Sequence, residues 1–267
     1  KRGLRMAKTI LLTGATDGIG LLTAKTLAAR GHNILLHGRN TAKLDAAVRD
    51  TGGNADHFTA DLSNLADVKA MAQAVLEKHE RVDVLINNAG VLKTPSPLTA
   101  DGLDVRFVVN TLAPYLLTRL LLPIIPKSGR VVNLSSAAQA PVDLDALSGR
   151  VRLGDMEAYA QSKLAITIWT RKLAKNLPDG PVVVAVNPGS LLASKMVREG
   201  FGIAGNDLQI GADILCKAAL DDSFAEAGGQ YYDNDSNRFA DPHSAASDAD
   251  KSQKIMRLIN ELVADLF

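Results

Sequence analysis

Tyr159 and Lys163 stand four residues apart in the run Tyr-Ala-Gln-Ser-Lys, within a segment predicted to be helical. Residues at this spacing lie one above the other on the same face of a helix. An ammonium group beside a phenol favours the phenolate, so the pair could let tyrosine act as an acid and base near neutral pH. That requires lowering the phenol pKa by about three units, or roughly 4 kcal/mol of differential stabilisation. Because the same spacing also arises by chance on solvated helices, the pair needs support from other motifs.

The elements that would position this pair show a regular alternation of short apolar runs and longer amphipathic segments. Such alternation is typical of a parallel sheet with helices packed on both faces. We therefore predict an α/β fold with a doubly wound, seven-stranded parallel sheet, in a single domain over residues 7–267. The predicted strands are 9–13, 33–37, 55–58, 82–86, 130–134, 182–186 and 229–232. The predicted helices are 19–30, 41–51, 65–79, 103–122, 159–176, 210–219 and 252–266.

Composition and charge exclude several classes of partner. The 267 residues carry 30 basic and 29 acidic side chains, a net charge of +1, with no basic stripe. Nucleic acid and an anionic membrane surface are therefore poor candidate partners. The single cysteine, Cys216, excludes an internal disulfide. None of the histidines has the spacing of a metal ligand, so no metal is predicted.

Neither a membrane span nor a secretory signal is predicted. The most apolar stretch, 112–125, is interrupted by Pro114, Arg119 and Pro123, whereas a membrane-spanning helix needs about 20 predominantly apolar residues. We therefore expect a cytoplasmic protein. Residues 1–6 are predicted to be an expression remnant, with Met6 as the native start.

Glycines and polar residues follow six of the predicted strands. Ligands of open parallel sheets bind outside the carboxyl ends of the strands, so the fold would bring these residues to one edge. Any one of them alone is ordinary turn chemistry, but together they predict a site. They are Gly14, Arg39, Asp61, Asn87, Ser136 and Asn187.

The first predicted strand leads into the run 13–20, which contains Gly14, Gly18 and Gly20, and then into a helix. Glycines permit a tight turn there, and the helix N-terminus offers free N–H groups and a positive dipole to a pyrophosphate. The spacing differs from the commoner Gly-x-Gly-x-x-Gly fingerprint. The carboxylate of Asp17 would repel a diphosphate, so we interpret it as the cap of the following helix.

The second predicted strand ends in His37-Gly38-Arg39-Asn40. Proteins that bind NAD usually carry an acidic residue near this point for the ribose 2′-hydroxyl. Arg39 instead offers a planar fork of donors that matches a phosphate. We therefore predict that Arg39 binds a 2′-phosphate and that NADP(H) is preferred over NAD(H). The alternative is a solvated loop arginine.

Three further polar positions are candidates that also have plain structural explanations. The run 87–90 could pass close to an adenine ring or pin neighbouring strands, and Asn110 could be a satisfied interior amide. Ser135 and Ser136 follow the fifth strand and could hold a carbonyl oxygen that the tyrosine protonates. A serine hydrolase would need a histidine base and an acid, and the histidines lie outside a nucleophile-elbow context.

Taken in chain order, these motifs resemble those of the short-chain dehydrogenase/reductase superfamily, from Lys8 to about Tyr232. The matching pieces are 13–20, Asp61-Leu62, 87–90, Asn110, Ser135-Ser136, the Tyr159/Lys163 pair and Asn187-Pro188-Gly189. The resemblance implies a Rossmann fold and hydride transfer between a nicotinamide cofactor and a carbonyl/alcohol pair. An insertion around 142–157 is similar to the retinol-dehydrogenase-like and protochlorophyllide-reductase-like branches.

The resemblance also implies roles for individual residues. Tyr159 would be the acid and base, Lys163 would lower its pKa, Ser136 would hold the substrate oxygen and Asn110 would support a proton relay. Ser136 is preferred over Ser135. The implied cofactor-binding residues are Gly14, Thr16, Asp17, Gly18, Ile19, Gly20, Arg39, Asn40, Asp61, Leu62, Asn87, Ala89, Gly90, Tyr159, Lys163, Pro188 and Gly189. Ala193 stands where a threonine commonly binds the nicotinamide amide.

The substrate is predicted to be an aldehyde or ketone on a hydrophobic body. The apolar, glycine-containing segment 190–207 could close over the site, and the predicted substrate contacts are Ser136, Leu92, Leu192 and Met196. The resemblance suggests a homodimer or homotetramer formed through the helices 103–122 and 159–176. The alternatives are reduction of an activated carbon–carbon double bond, an NADP-binding sensor without turnover and a methyltransferase, although the last needs no tyrosine–lysine pair.

Overall fold

One sheet of eight strands organises the protein, seen here in a computed structural model that describes residues 6–192, 196, 198–199, 202 and 204–267. The strand order is β3-β2-β1-β4-β5-β6-β7-β8. The strands are β1 Thr9–Leu12, β2 Asn33–Gly38, β3 His57–Thr59, β4 Val84–Asn87, β5 Arg130–Leu134, β6 Val182–Asn187, β7 Tyr231–Asp233 and β8 Arg238–Ala240. The predicted seven parallel strands are confirmed. The sequence prediction missed β8, which pairs antiparallel with β7.

Helices cover both faces of the sheet. They are α1 Gly18–Ala29, α2 Thr41–Asp50, α3 Leu65–Lys78, α5 Leu144–Leu147, α6 Asp155–Lys175, α7 Leu208–Leu220 and α8 Ala249–Val263. Between α3 and α5 lies α4, which consists of an α-helical turn Val105–Phe107, a π-helical segment Val108–Leu112 and an α-helical segment Ala113–Leu121. The helix predicted at 159–176 begins earlier, at Asp155, so Tyr159 lies in its second turn.

Alternating residues of the central strands face two separate cores. Leu11 of β1 packs in a core with Trp169 of α6, whereas its neighbours Ile10 and Leu12 pack in a second core with Leu27 of α1. All of these side chains are fully buried. Successive strand residues point to opposite faces, so a continuous apolar run supplies both cores at once. This is why the strands read as unbroken apolar runs in the sequence.

The strand order reverses between β1 and β4, which are neighbours in the sheet although β2 and β3 come between them in the chain. In doubly wound sheets this point opens a crevice at the carboxyl ends of the strands. The loop after β1 and the loop after β4 therefore meet there. The glycine run and the segment beginning at Asn87 are brought together by topology alone.

The C-terminal helix α8 covers the side of the protein formed by α4 and α6. Ile255 and Ile259 of α8 pack in the same core as Trp169, and the Tyr115 hydroxyl of α4 donates a hydrogen bond of 2.7 Å to Asn260 Oδ1. In α6, every residue from 161 to 170 is buried within this one chain. This stretch of α6 is covered by the chain itself, whereas Met156 and Glu157 at the start of the helix are exposed. The expected homodimer or homotetramer stays a prediction.

Among the described residues, one helical stretch has the length and apolarity of a membrane span. It is Val105–Ile124, with a mean hydropathy of 1.5, and 72% of it is buried inside the protein. The predicted single domain and the predicted expression remnant stay predictions, and residues 1–5 lie outside the described residues. Also outside the described residues are seven positions of the predicted substrate loop, which are Ala193, Ser194, 195, 197, 200, 201 and 203.

Candidate active site

The glycine run after β1 is shaped by steric limits. Gly14 and Gly18 have φ of 65° and 52°, a region that L side chains rarely adopt. A Cβ on Gly20 would lie 2.0 Å from the Gly14 carbonyl oxygen, so the backbone passes too closely for any side chain. The Asp17 carboxylate accepts a hydrogen bond of 2.7 Å from Gly18 N and caps α1, which confirms the capping interpretation. The resulting cradle fits a pyrophosphate at the helix N-terminus.

Asn88 fastens the loop after β4 to the glycine run. Its Nδ2 donates to the carbonyl oxygens of Thr13 and Gly14, at 2.9 and 3.1 Å. In return, the Thr13 hydroxyl accepts hydrogen bonds from Asn88 N and Ala89 N, both at 3.1 Å. The sequence analysis gave the run 87–90 this pinning role as one of two explanations, but Asn88 itself was not among the predicted cofactor-binding residues. Asn87 is buried and donates to Thr118 and Asn133, so it pins α4 and β5 and lies off the cleft.

His37 is a second residue that the sequence prediction missed. Its Nδ1 accepts a hydrogen bond of 3.2 Å from Gly14 N, and its Nε2 lies 3.1 Å from the Ala60 carbonyl oxygen. The ring must therefore be neutral, with the proton on Nε2. Burial lowers the pKa of His37 to about 4, although the hydrogen bond to Ala60 opposes the shift. His37 thus links the carboxyl ends of β2 and β3 to the glycine run.

The far end of the cleft carries one cation and one carboxylate. Arg39 lines the cleft, is exposed and has no hydrogen bond or ion pair to any described residue. The Asp61 carboxylate accepts hydrogen bonds from the backbone N–H and the hydroxyl of Ser63, at 2.9 and 2.8 Å. Asn40 caps α2 by accepting from Lys43 N at 3.0 Å, so its side chain lies off the cleft. Arg39 is therefore available to an anionic ligand.

Tyr159 and Lys163 lie on the inner side of α6, at the opposite end of the cleft. The Lys163 Nζ donates a hydrogen bond of 2.8 Å to the Leu134 carbonyl oxygen at the end of β5. The same Nζ lies 5.6 Å from the centre of the Tyr159 ring. The predicted pairing on one helix face is present, with the ammonium over the ring.

The pKa of Tyr159 departs from the sequence expectation. Burial raises the pKa of the phenol, and a hydrogen bond with Ser136 only partly offsets it. Burial also lowers the pKa of Lys163 to about 8. The predicted lowering of the phenol pKa by Lys163 is therefore wrong for the protein without cofactor. The cost of removing both groups from water exceeds the attraction of an ammonium that faces the ring and a backbone carbonyl.

Two adjacent serines follow β5, and their hydroxyls have different hydrogen-bond partners. The Ser135 hydroxyl lies 2.7 Å from the Thr167 hydroxyl and donates to the Lys163 carbonyl oxygen at 3.2 Å, which ties β5 to α6. The Ser136 hydroxyl accepts a hydrogen bond of 3.1 Å from Ala138 N and lies near enough to the Tyr159 phenol to lower its pKa. Of the two, Ser136 is the one whose hydroxyl faces the tyrosine.

Asn110 lies in the π-helical segment of α4, and its amide is fully engaged. Its Oδ1 accepts from Val91 N at 2.8 Å, and its Nδ2 donates to the Val91 carbonyl oxygen at 2.9 Å and to the Ser162 hydroxyl at 3.0 Å. A Cβ on Gly90 would lie 3.3 Å from Asn110 Oδ1 and 3.5 Å from Lys163 Nζ. Asn110 therefore joins the loop after β4 to α6 directly behind the lysine.

These elements enclose a cleft of about 340 Å³. The predicted site residues that line it are Gly14, Thr16, Asp17, Gly18, Ile19, Gly20, Arg39, Asp61, Leu62, Ala89, Gly90, Tyr159, Lys163, Pro188 and Met196. Those that do not are Asn40, Asn87, Asn110, Ser136, Gly189, Leu92 and Leu192. Lining residues outside the predicted set of site residues are His37, Gly38, Asn88, Val91, Val109, Leu134 and Ser135.

The predicted substrate contacts are only partly in place. Met196 lines the cleft, together with the apolar side chains of Val91 and Val109. Leu92 and Leu192 are each 3% exposed and absent from the cleft, so their prediction as substrate contacts is corrected. Both are apolar loop residues, and residue type alone does not tell whether such a side chain turns to the site or to the core.

The fold and this cleft define a class of protein. A glycine cradle at the switch point, with a tyrosine and a lysine at the other end of the same cleft, describes an oxidoreductase that binds a dinucleotide. The sequence pattern of the short chain dehydrogenase family matches residues 8–201. The chain belongs to this family, and it is an oxidoreductase that acts on CH–OH groups with a nicotinamide cofactor.

Similar proteins agree with this placement. Retinol dehydrogenase 13 of Homo sapiens is 36% identical over 253 residues, which cover 85% of this chain and 76% of that protein. The crystal structure of a protein from Mycobacterium Paratuberculosis superposes with a TM-score of 0.81 at 30% identity, covering 96% of this chain and 93% of the other. A short chain dehydrogenase from Burkholderia cenocepacia J2315 in complex with NADP gives a TM-score of 0.68 at 27% identity, covering 85% and 96%. The predicted family and its retinol-dehydrogenase-like branch are confirmed.

Proposed function

We propose that the protein interconverts an aldehyde or ketone and an alcohol on a mainly hydrophobic substrate, with NADP(H) as the cofactor. One observation carries the proposal. Tyr159 and Lys163 line the same cleft as the glycine run, and the Ser136 hydroxyl is close enough to the Tyr159 phenol to lower its pKa. A proton donor thus lies at the end of the cleft opposite Arg39. A cytoplasmic location and a single domain remain part of the proposal.

Several groups of this chain would hold the cofactor. The glycine run and the N-terminus of α1 would bind the pyrophosphate, and the Asp61-Leu62 segment would meet the adenine. Lys163 keeps two N–H donors beyond its bond to Leu134, and these would bind the ribose next to the nicotinamide. When bound, the nicotinamide supplies the hydride for reduction and accepts it in oxidation.

The proton would come from Tyr159. In reduction, the Tyr159 hydroxyl gives its proton to the carbonyl oxygen, while the Ser136 hydroxyl donates a second hydrogen bond to the same oxygen. A raised phenol pKa keeps this proton in place at neutral pH, which favours the reductive direction. Oxidation of an alcohol needs the phenolate and so would be favoured by alkaline pH. Asn110 would hold Val91 and Ser162 in place around the lysine.

The preference for NADP(H) rests on Arg39. Its guanidinium is exposed at the cleft and unpaired within the described part of the chain. A planar fork of donors suits a 2′-phosphate, and no carboxylate stands at the end of β2 to accept a ribose hydroxyl instead. The relative from Burkholderia cenocepacia, which was crystallised with NADP, supports the same choice.

The substrate class rests on the apolar wall beside the tyrosine. Val91, Val109 and Met196 form this wall, and burial of their surface would stabilise a hydrocarbon body by roughly 25 cal/mol for each Å² removed from water. The likeness to a retinol dehydrogenase supports a long apolar alcohol or aldehyde. Small, highly charged carbonyl compounds would gain nothing from this wall.

A panel of substrates tests the proposal. NADPH oxidation is followed by absorbance with aliphatic and isoprenoid aldehydes, cyclic ketones, charged keto acids and activated alkenes that carry no aldehyde or ketone. The proposal expects turnover of the apolar aldehydes or ketones. Turnover confined to the activated alkenes would make the protein a double-bond reductase instead. NADPH binding without any turnover would make it a sensor.

A further inference from the structure

The backbone carbonyl of Ser136 is held from two sides. The Tyr231 hydroxyl of β7 donates a hydrogen bond of 3.2 Å to this oxygen, and the Gln139 Nε2 donates another of 2.8 Å. Gln139 is fixed in turn, because its Oε1 accepts a hydrogen bond of 3.0 Å from His243 N. Its Nε2 also lies 3.4 Å from the Ser135 hydroxyl. Both lone pairs of the Ser136 carbonyl are therefore occupied by side chains from outside β5.

These two hydrogen bonds to the Ser136 carbonyl matter because Ser136 lies beyond the end of the sheet. β5 ends at Leu134, and the segment from 135 to 143 has no helix or strand. The carbonyl and the side chain of Ser136 branch from the same Cα, so fixing the peptide plane restricts the direction of the Cα–Cβ bond, and the hydrogen bond from Ala138 N then favours one rotamer of the hydroxyl. Without the two donors, the hydroxyl would be held by little more than Ala138 N.

We propose that Tyr231 and Gln139 are positioning residues that aim the Ser136 hydroxyl at the substrate oxygen. This inference rests on the proposed function, because it gives Ser136 a role in the reaction. Neither Tyr231 nor Gln139 lines the cleft, so their effect on the reaction would pass through Ser136. The Tyr231 hydroxyl is a permanent donor, since its proton stays in place throughout the pH range of the reaction.

The Tyr231 hydroxyl keeps its proton, and so remains a hydrogen-bond donor, because of its surroundings. Burial raises the pKa of its phenol, and the nearby carboxylates of Asp233 and Asp235 raise it further.

The neighbouring residue, Tyr232, offers a matched control. Tyr232 points to the other face of β7, where its hydroxyl donates to Asn237 Oδ1 at 2.7 Å and its ring packs on Phe224. The two tyrosines differ in whether they reach Ser136.

The first test compares Tyr231→Phe with Tyr232→Phe. A hydrogen bond of this kind contributes about 0.5 to 1.5 kcal/mol, which corresponds to about a two- to tenfold loss of rate. We expect the single-turnover rate of hydride transfer to fall by about this factor in Tyr231→Phe, with unchanged NADPH affinity by fluorescence titration. Tyr232→Phe should keep the rate of the unaltered protein. Equal rates in both variants would overturn the proposal.

The second test repeats Tyr231→Phe in a Ser136→Ala background. If Tyr231 acts only through the serine hydroxyl, the substitution has no further effect on hydride transfer there. The same loss of rate in both backgrounds would show a different role and overturn the proposal. Gln139→Met should behave like Tyr231→Phe in this cycle.

A third readout needs neither cofactor nor turnover. The Ala138 amide donates to the Ser136 hydroxyl, so loosening the Ser136 peptide should speed its hydrogen exchange. We expect faster exchange at Ala138 in Tyr231→Phe and unchanged exchange in Tyr232→Phe, measured by NMR on the cofactor-free protein. Unchanged exchange at Ala138 in both variants would contradict the proposal that Tyr231 holds the Ser136 peptide in place. If the unaltered protein reduces no carbonyl compound, the proposed function fails while this measurement still decides whether Tyr231 holds Ser136.

Discussion

Lys163 Nζ lies 5.6 Å from the centre of the Tyr159 ring and donates its hydrogen bond to the Leu134 carbonyl oxygen. Lys163 is buried and Tyr159 is half-buried, and loss of contact with water favours the neutral form of each. The pKa of Tyr159 is raised and that of Lys163 is lowered to about 8. The cofactor-free site is thus one in which the phenol keeps its proton. Each of the following predictions depends on this site or on the cradle that faces it.

Removing the buried ammonium should change how stability depends on pH. Because the pKa of Lys163 is about 8 in the folded protein and 10.5 for a lysine exposed to water, the unfolded chain binds more protons between those limits. Stability from this residue therefore rises with pH across that window. We expect the free energy of unfolding to rise by about 2 kcal/mol more in the unaltered protein than in Lys163→Met between pH 8 and 10.

Urea unfolding of the cofactor-free protein at a series of pH values measures this difference. The series stops at pH 10, because the raised pKa of Tyr159 begins to reduce stability above its ordinary value of 10.0. Lys175→Met, at the exposed end of the same helix, is the control for loss of a lysine. Parallel pH curves for the unaltered protein and Lys163→Met would show that the ammonium is not desolvated.

His37 should make stability depend on pH in the same direction as Lys163 does, but in the acid range. Its pKa falls from 6.5 to about 4 on folding, so its contribution to stability is complete above pH 6.5 and is lost as the pH falls towards 4. Protonated Nδ1 cannot accept the Gly14 N–H. Between pH 7 and 4.5 we expect the unaltered protein to lose about 2 kcal/mol more than His37→Gln, with the surface variant His57→Gln as control. Equal losses would place His37 outside this network.

Gly20 should tolerate no side chain. A Cβ there would lie 2.0 Å from Gly14 O and 2.6 Å from Asn88 Nδ2, so Gly20→Ala must push the glycine run apart. We expect Gly20→Ala to lose about 2 kcal/mol or more of stability in urea unfolding, together with NADPH binding. Gly228→Ala, which meets no atom within 4 Å, should change stability by less than about 0.5 kcal/mol. An unimpaired Gly20→Ala protein would contradict the geometry of the cradle.

Arg39 should decide between the two nicotinamide cofactors. A charge-assisted hydrogen bond contributes about 1.5 to 3 kcal/mol, so Arg39→Asp should weaken NADPH binding by about tenfold or more and improve NADH binding relative to it. Arg49→Asp, on an exposed position of α2 away from the cleft, is the charge-matched control. Fluorescence titration with both cofactors gives the ratio. Unchanged NADPH affinity in Arg39→Asp would remove the basis for NADP(H) preference.

The parallel sheet was predictable because the central strands, such as β1, are apolar runs that supply two cores. β8 was missed because Arg238–Ala240 is three residues long and follows the polar turn 234–237. β8 forms only by pairing with β7 in a hairpin, and no local sequence pattern predicts this pairing. The π-helical segment around Asn110 was likewise invisible, since its composition is that of any buried helix.

The site was predictable where one local motif places several residues, as in the glycine run, and less so where distant segments meet. Asn88 reaches Thr13 across 75 residues, and His37 reaches Ala60 across 23 residues. Both roles follow from strand order, which sequence spacing does not contain. The sign of the Tyr159 pKa shift failed for a related reason. Helical spacing gives the distance to Lys163 but not the burial of either group, and here burial dominates.

The most direct test of the account is the activity of Tyr159→Phe. The substitution removes one hydroxyl from a half-buried ring and leaves the cradle untouched, so NADPH affinity by fluorescence titration should match that of the unaltered protein. The rate of carbonyl reduction should fall at least about a hundredfold, which is the usual contribution of a positioned proton donor. Reduction at the unaltered rate by Tyr159→Phe, with NADPH bound equally well, would contradict the account.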